Sequence, residues 1–120
     1  MRQVLVLFAT LVLAATSADA CSRLTVEPRY LTHQMDGDTI SLFTFPQGQF
    51  KFRVADVNTP ERGEPGWAEA RAFTWAWLNQ GPFTIETCWK RTLDRYVAVI
   101  SRDGVTLAEA LTQQFGYETP

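Results

Sequence analysis

Three short groups of polar and charged residues stand where side chains could do chemistry. The first is Asp36-Gly37-Asp38-Thr39, in which two carboxylates flank a glycine just before an apolar segment. Carboxylate oxygens are ligands that a hard cation such as Ca²⁺ prefers. The same residues also fit an ordinary Asp-Gly turn. Taken alone, the motif therefore leaves a cation site and a plain turn both open.

The second group combines Arg53 with Asn58-Thr59-Pro60-Glu61. Arg53 interrupts a segment rich in apolar residues, and its planar guanidinium matches a phosphate better than the ammonium of a lysine does. Glu61 follows a proline in a glycine-rich loop, where a carboxylate can be held at an open cleft. A surface ion pair together with a solvated loop acid is the alternative interpretation.

The third group is Leu93-Asp94-Arg95-Tyr96, a polar turn that presents an arginine at the start of a predicted strand. A hairpin with a solvated arginine is the alternative. None of the three groups specifies a function by itself.

The elements between these groups must position them. Alternating apolar residues and turn residues predict strands at 24–31, 38–45, 49–58, 83–89 and 95–102. Helices are predicted at 67–79 and from the capping-box pattern at Thr106 through about residue 114. The fold class is therefore α+β and mainly β. Five strands, with one helix between strands 3 and 4 and one C-terminal helix, suit a small barrel of the OB-fold type.

Residues 1–20 are typical of a secretory signal peptide, with Arg2, an apolar run over 4–15, and Ala18-Asp19-Ala20 before the cleavage site. The run is too short for a transmembrane helix, which needs about 20 apolar residues. Cleavage before Cys21 leaves residues 21–120, a length that suits one domain with one core. We therefore expect a periplasmic or secreted protein without a transmembrane segment, and a monomer.

The composition narrows the classes of protein. A net charge of −2 excludes a strongly basic nucleic-acid coat protein but allows a small basic site on an acidic body. A hydrophobic content of 46% indicates a globular chain rather than a disordered one. Two cysteines and one histidine are too few for the usual four-ligand zinc site. In an oxidising compartment Cys21 and Cys88 could form a disulfide, and lipidation of Cys21 is the alternative.

In their order along the chain, the three groups resemble the staphylococcal nuclease (thermonuclease) family. That family carries Asp-Gly-Asp-Thr, an arginine in a following strand, Asp-Thr-Pro-Glu, a helix, an arginine-bearing turn, and Asp-Gly before a last helix. The counterparts here are Asp36-Gly37-Asp38-Thr39, Arg53, Asn58-Thr59-Pro60-Glu61, Arg95 and Asp103-Gly104. The resemblance extends from about Val26 to Tyr117, which is nearly the whole chain after the predicted signal peptide.

The resemblance implies an OB-fold, calcium-dependent nuclease that hydrolyses phosphodiester bonds of DNA, and of RNA, with little sequence preference. It implies that Asp38 is the main carboxylate ligand of Ca²⁺. Asn58 and the carbonyl oxygen of Thr59 would be further ligands, and Asp36 would lie just beyond them.

The resemblance also implies three catalytic residues. Glu61 would position or deprotonate the attacking water. Arg53 and Arg95 would grip the phosphate and stabilise the negative charge that builds on it in the transition state.

The sequence departs from the family pattern at the metal site. The family usually has a second metal-binding Asp where this chain has Asn58, and calcium affinity depends on the charge of the ligands. Weaker metal binding follows as a hypothesis. A degenerate OB-fold domain that binds nucleic acid and cuts poorly is the alternative function. Asp56 would face the same side as Asn58 on a regular strand and could supply the missing charge, or could simply face solvent.

A second departure lies in the arginine-bearing turn. Asp94 stands where the family usually has a glycine, and we expect it to tolerate the left-handed geometry of such a turn. Arg95 stands before Asp103 at the family's spacing, which favours it as the catalytic arginine. Arg91 is the competing candidate for that role.

Overall fold

A computed structural model describes residues 20–33, 36–44 and 46–117, and almost all of the predicted signal peptide lies outside them. The strands are β1 Ser22–Val26, β2 Thr39–Thr44, β3 Gly48–Val54, β4 Phe83–Thr92, β5 Arg95–Arg102 and β6 Val105–Thr106. The helices are α1 Trp67–Leu78 and α2 Leu107–Phe115, with a 3-10 turn at Pro28–Tyr30. The prediction of a mainly β chain with two helices is confirmed.

The strands form one mixed sheet in the order β1-β4-β5-β3-β2, with β6 paired to β5. The β3–β5 pair is parallel, and the other strand pairs are antiparallel. In the β2–β3 hairpin Thr39 lies opposite Arg53, and Arg53 is also in register with Val97 of β5. The strands that begin at Thr39 and Arg95 therefore both flank the strand that carries Arg53.

The predicted end of β3 was wrong. The strand ends at Val54 rather than at Asn58, because Asp56 adopts a left-handed backbone with φ of 70° in a turn. The alternation that placed Asp56 on the same side as Asn58 does not extend into a turn. Asp56 instead lines a surface cavity beside α2, together with Thr106 and Glu109. The structure therefore gives no support for Asp56 as a replacement for the missing charge.

The β4–β5 hairpin also differs from the prediction. β4 continues to Thr92, so the predicted turn over 90–94 is reduced to Leu93 and Asp94. The left-handed residue is Leu93, with φ of 57°, and not Asp94. Asp94 instead accepts a hydrogen bond from Nζ of Lys51 over 3.1 Å. That bond lowers the pKa of the Asp94 carboxyl group.

The remaining boundaries follow from local chemistry. Pro28 begins the 3-10 turn, so β1 stops at Val26 instead of reaching Leu31. The predicted capping box opens α2: Thr106 Oγ1 accepts from the Glu109 N–H, and Glu109 Oε1 accepts from the Thr106 N–H. At the other helix, Arg102 of β5 donates to the carbonyl oxygens at the end of α1.

The hydrophobic core joins the sheet to both helices. Its largest fully buried side chains are Phe52, Phe83, Ile40, Leu78, Ile85, Ile100, Leu107 and Leu111. Burial of this apolar surface is the main favourable contribution to folding. Since α1 supplies Leu78 and β2 supplies Ile40, the core also fixes α1 relative to the strands that carry the charged groups.

A disulfide joins Cys21 to Cys88, which tethers the residue before β1 to β4. The disulfide hypothesis is confirmed, and a cysteine so bonded has no thiol left for lipidation. The bond is consistent with an oxidising compartment. No helix in the described part of the chain is both long and apolar enough to cross a membrane.

Candidate active site

Asp38 stands immediately before β2 and is only 7% exposed. The backbone N–H of Thr59 donates a hydrogen bond of 2.9 Å to Oδ2 of Asp38. Nη2 of Arg53 lies 3.4 Å from the same oxygen. A buried carboxylate needs such partners to offset the cost of removing it from water. These contacts bring together three residues from three different segments of the sequence.

Arg53 is held by the turn that follows its own strand. Its Nη1 donates to the carbonyl oxygens of Val54 and Val57, the latter over 2.8 Å, and its Nη2 donates to Oδ1 of Asn58. Oxygens of Asp38 and Asn58 therefore converge on a single nitrogen of the guanidinium group. The structure thus shows a position, between one carboxylate and one amide oxygen, where a positive charge is stabilised.

Arg95 joins this cluster through Thr39. Its Nη1 donates a hydrogen bond of 2.8 Å to Oγ1 of Thr39, the residue that follows Asp38. Thr39 therefore lies next to both arginines, paired with Arg53 across the hairpin and bonded to Arg95. Arg91 instead places its guanidinium 5.4 Å from the ring centroid of Tyr96. Arg95 therefore belongs to the cluster, whereas Arg91 lies over the ring of Tyr96.

Glu61 lies two residues after Thr59, and its side chain is exposed. The loop is closed locally: the N–H of Glu61 donates to Oε1 of Glu64 over 2.7 Å, and the N–H of Glu64 donates to the carbonyl of Glu61. Among the described residues, no hydrogen bond or ion pair joins the Glu61 carboxylate to the arginines or to Asp38. The Glu61 carboxylate is therefore exposed to solvent, two residues along the chain from Thr59.

Two residues of α1 that the sequence patterns did not single out support the Asp36-Gly37-Asp38 segment. Oγ1 of Thr74 donates to the Gly37 carbonyl over 2.7 Å, and Nε1 of Trp67 donates to Oδ1 of Asp36 over 2.6 Å. A Cβ atom on Gly37 would lie 2.9 Å from Cβ of Ala70. The glycine therefore allows α1 to approach the turn closely.

A polar residue on the buried face of α1 was the signal that could have revealed this support. Ala70, Thr74 and Leu78 repeat at helical spacing and are all buried. A threonine in such a row needs a hydrogen-bond partner. The carbonyl of Gly37 is that partner, so the row of buried residues connects α1 to the site.

Tyr117 is the last residue that the structure describes, two residues after the end of α2. Burial raises the pKa of its hydroxyl group, and the negative charges of Glu69 and Asp38 raise it further. Its ring stacks on Phe115 with centroids 5.3 Å apart. The aromatic stack at the end of α2 therefore holds the Tyr117 ring partly out of solvent.

The donors available to a metal ion are oxygens. In the described part of the chain, no group of three or more His, Cys, Asp or Glu side chains is placed to hold a metal ion. The oxygens that do converge belong to Asp38 and Asn58. Thr59 adds a polar atom to this region, since its buried Oγ1 has no hydrogen-bond partner among the residues that the structure describes.

Comparisons with known proteins add nothing to this geometry: no family model matches the chain, and neither does any curated protein.

Proposed function

We propose that this protein is a calcium-dependent nuclease of the thermonuclease type, which hydrolyses phosphodiester bonds of DNA and RNA. The observation that carries the proposal is the convergence of two guanidinium groups on the segment Asp38-Thr39. Arg53 contacts Asp38, and Arg95 contacts Thr39. Two arginines held beside a buried carboxylate can both donate hydrogen bonds to the oxygens of one phosphate.

The chemistry follows from the charge that develops during hydrolysis. When water attacks a phosphodiester, negative charge builds on the phosphoryl oxygens. Arg53 and Arg95 place positive charge at that position before the reaction begins, which lowers the barrier. Glu61, exposed beside them, would position the water or accept its proton once the substrate is bound.

The sheet order supports an OB-fold barrel as the scaffold for this site. β1 pairs with β4, β4 with β5, and β5 with β3 in parallel. An isolated bridge between Leu31 and Leu42 links the segment after β1 to β2, which would bring the two edges of the sheet together. OB-folds bind oligonucleotides on the face of the sheet and in the adjacent loops.

The donor atoms available here are the oxygens that Ca²⁺ prefers, but together they carry little negative charge. Asp38, Asn58 and the carbonyl of Thr59 would hold the ion, and all three offer the oxygen ligands that Ca²⁺ takes. A bound Ca²⁺ would polarise a phosphoryl oxygen as a Lewis acid. Only Asp38 among these ligands carries a formal charge, so we expect weak binding. Arg53 contacts oxygens of both Asp38 and Asn58, so the ion and the guanidinium compete for them.

The test is cleavage of plasmid and single-stranded DNA by the protein across a calcium titration, beside Asn58→Asp. We expect cleavage that a chelator abolishes, and a lower calcium requirement in Asn58→Asp. Gln80→Glu adds the same charge beyond the far end of α1 and is the matched control. Its calcium requirement should equal that of the unmodified protein.

Two other outcomes would overturn the proposal. If only Asn58→Asp cleaves, the natural chain is a disabled nuclease, and the alternative function of nucleic-acid binding gains support. If the natural chain cleaves equally well in chelator, calcium has no role in its reaction.

A further inference from the structure

One side of α1 carries a row of aromatic and basic residues that are half-buried or exposed. Trp67, Arg71 and Trp75 follow at intervals of four residues, which places them along one side of the helix. At 1.5 Å per residue, the row extends for about 12 Å. Trp75 is 39% exposed, although it is one of the largest apolar side chains in the chain. An exposed tryptophan beside an arginine is a feature that the proposed catalysis does not explain.

The row begins at the candidate active site. Nε1 of Trp67 is bonded to Asp36, two residues before Asp38. Two guanidinium groups lie over the Trp67 ring: Cζ of Arg62 is 4.9 Å from the ring centroid, and Cζ of Arg71 is 5.6 Å from it. Arg62 follows Glu61 directly in the sequence. The loop that carries the proposed catalytic glutamate thus continues into a basic, aromatic surface.

The row ends in an open cavity. His33, Arg71, Ala72 and Trp75 line a space of about 330 Å³. Its walls combine an aromatic ring with a guanidinium and an imidazole. Glu69 does not belong to this side of the helix, since it lies two residues from Trp67 and its charge acts on Tyr117. The surface formed by His33, Arg62, Trp67, Arg71 and Trp75 is called the α1 strip below.

We propose that the α1 strip binds single-stranded nucleic acid adjacent to the phosphate that is cleaved. This inference rests on the proposed function and names the form of its substrate. Proteins that hold single strands combine basic groups that follow the backbone with aromatic rings on which bases stack. In the α1 strip, Arg62 and Arg71 contact phosphates and Trp75 stacks on a base. Duplex DNA keeps its bases paired and cannot offer them to Trp75.

The test is the anisotropy of a labelled thymidine oligonucleotide in the presence of chelator, which measures binding without cleavage. Trp75→Ala should weaken binding about tenfold, because it removes the ring on which a base stacks. Arg71→Ala should weaken binding and reduce its dependence on salt. Arg29→Ala is the matched control, because Arg29 also lies over an aromatic ring, that of Tyr30, but outside the α1 strip. It should bind as the unmodified protein does.

An abasic oligonucleotide of equal length separates stacking from charge. We expect Trp75→Ala and the unmodified protein to bind it equally weakly. If the unmodified protein binds abasic strand, duplex and thymidine strand alike, the α1 strip is a general polyanion surface, and the proposal is wrong. If Trp75→Ala loses nothing on any probe, the proposal is also wrong. The calcium assay measures cleavage and this assay measures binding, so a failure of the nuclease proposal is distinguishable from a failure of the present one.

Discussion

Nη2 of Arg53 lies 3.4 Å from Oδ2 of Asp38, within an ion pair in which both side chains are largely buried. The two residues lie at one end of the β2–β3 hairpin, where Thr39 pairs with Arg53. The carboxylate expected to hold a cation is therefore already neutralised by the arginine expected to hold a phosphate. If the site binds Ca²⁺ as proposed, we expect its affinity for the ion to depend on Arg53 as well as on Asn58.

Replacing Arg53 by methionine should increase the response to calcium while reducing activity. The substitution removes the positive charge that competes for the oxygens of Asp38 and Asn58. Ca²⁺ should then raise the melting temperature more in Arg53→Met than in the unmodified protein, each measured against its own sample in chelator. Cleavage should fall by about 10²–10³, the usual cost of losing one transition-state donor. An equal calcium response in the two proteins would show that Arg53 does not compete with the ion.

The two arginines near the β4–β5 turn should differ sharply in their effect on cleavage. Arg95 contacts Thr39 beside Asp38, whereas Arg91 lies over Tyr96. Arg95→Ala should therefore lower the cleavage rate by about 10²–10³, and Arg91→Ala should change it little. The two variants are compared by their initial cleavage rates at saturating calcium, and circular dichroism checks that each is folded. A large loss in Arg91→Ala alone would reverse the assignment.

The sequence predicted the elements more successfully than the contacts between them. The order of the five predicted strands and the two helices, and the capping box at Thr106, followed from local patterns, whereas the short strand β6 was not predicted. The disulfide was one of two alternatives for Cys21, and the structure shows it. The end of β3 did not, because Asp56 leaves the strand through a left-handed turn that the alternation of side chains does not reveal. The hydrogen bond from Arg95 to Thr39 joins residues far apart in sequence, so it is visible only in the folded structure.

Gly37 should be sensitive to the smallest added side chain. A Cβ atom there would lie 2.9 Å from Cβ of Ala70 and 3.0 Å from side-chain atoms of Thr59. Gly37→Ala should therefore lower the free energy of unfolding by about 1–3 kcal/mol, as overpacking does. Urea unfolding gives the value. Ala70→Gly removes the closest contact, so the double variant should be less destabilised than the sum of the two single changes. Strict additivity would contradict this packing.

The Cys21–Cys88 disulfide should contribute strongly to stability. It joins residues separated by 67 positions, and closing a loop of that length is worth about 4 kcal/mol in the chain-entropy model. Reduction should therefore lower the melting temperature of the unmodified protein substantially. The Cys21→Ser, Cys88→Ser double variant should start at the lower value and not respond to reductant. If the reduced and the oxidised protein melt at the same temperature, the disulfide does not contribute to stability.

Tyr117 should make the protein less stable at alkaline pH. Burial and the charges of Glu69 and Asp38 raise the pKa of its hydroxyl above 10.0 in the folded state. The neutral form is therefore favoured by folding. The resulting stability is fully present below the unfolded pKa and is lost as pH rises through the folded value. Urea unfolding at several alkaline pH values should show a shallower decline in Tyr117→Phe. Ultraviolet difference titration of the same variant identifies the step that belongs to Tyr117, and identical declines in both proteins would refute the linkage.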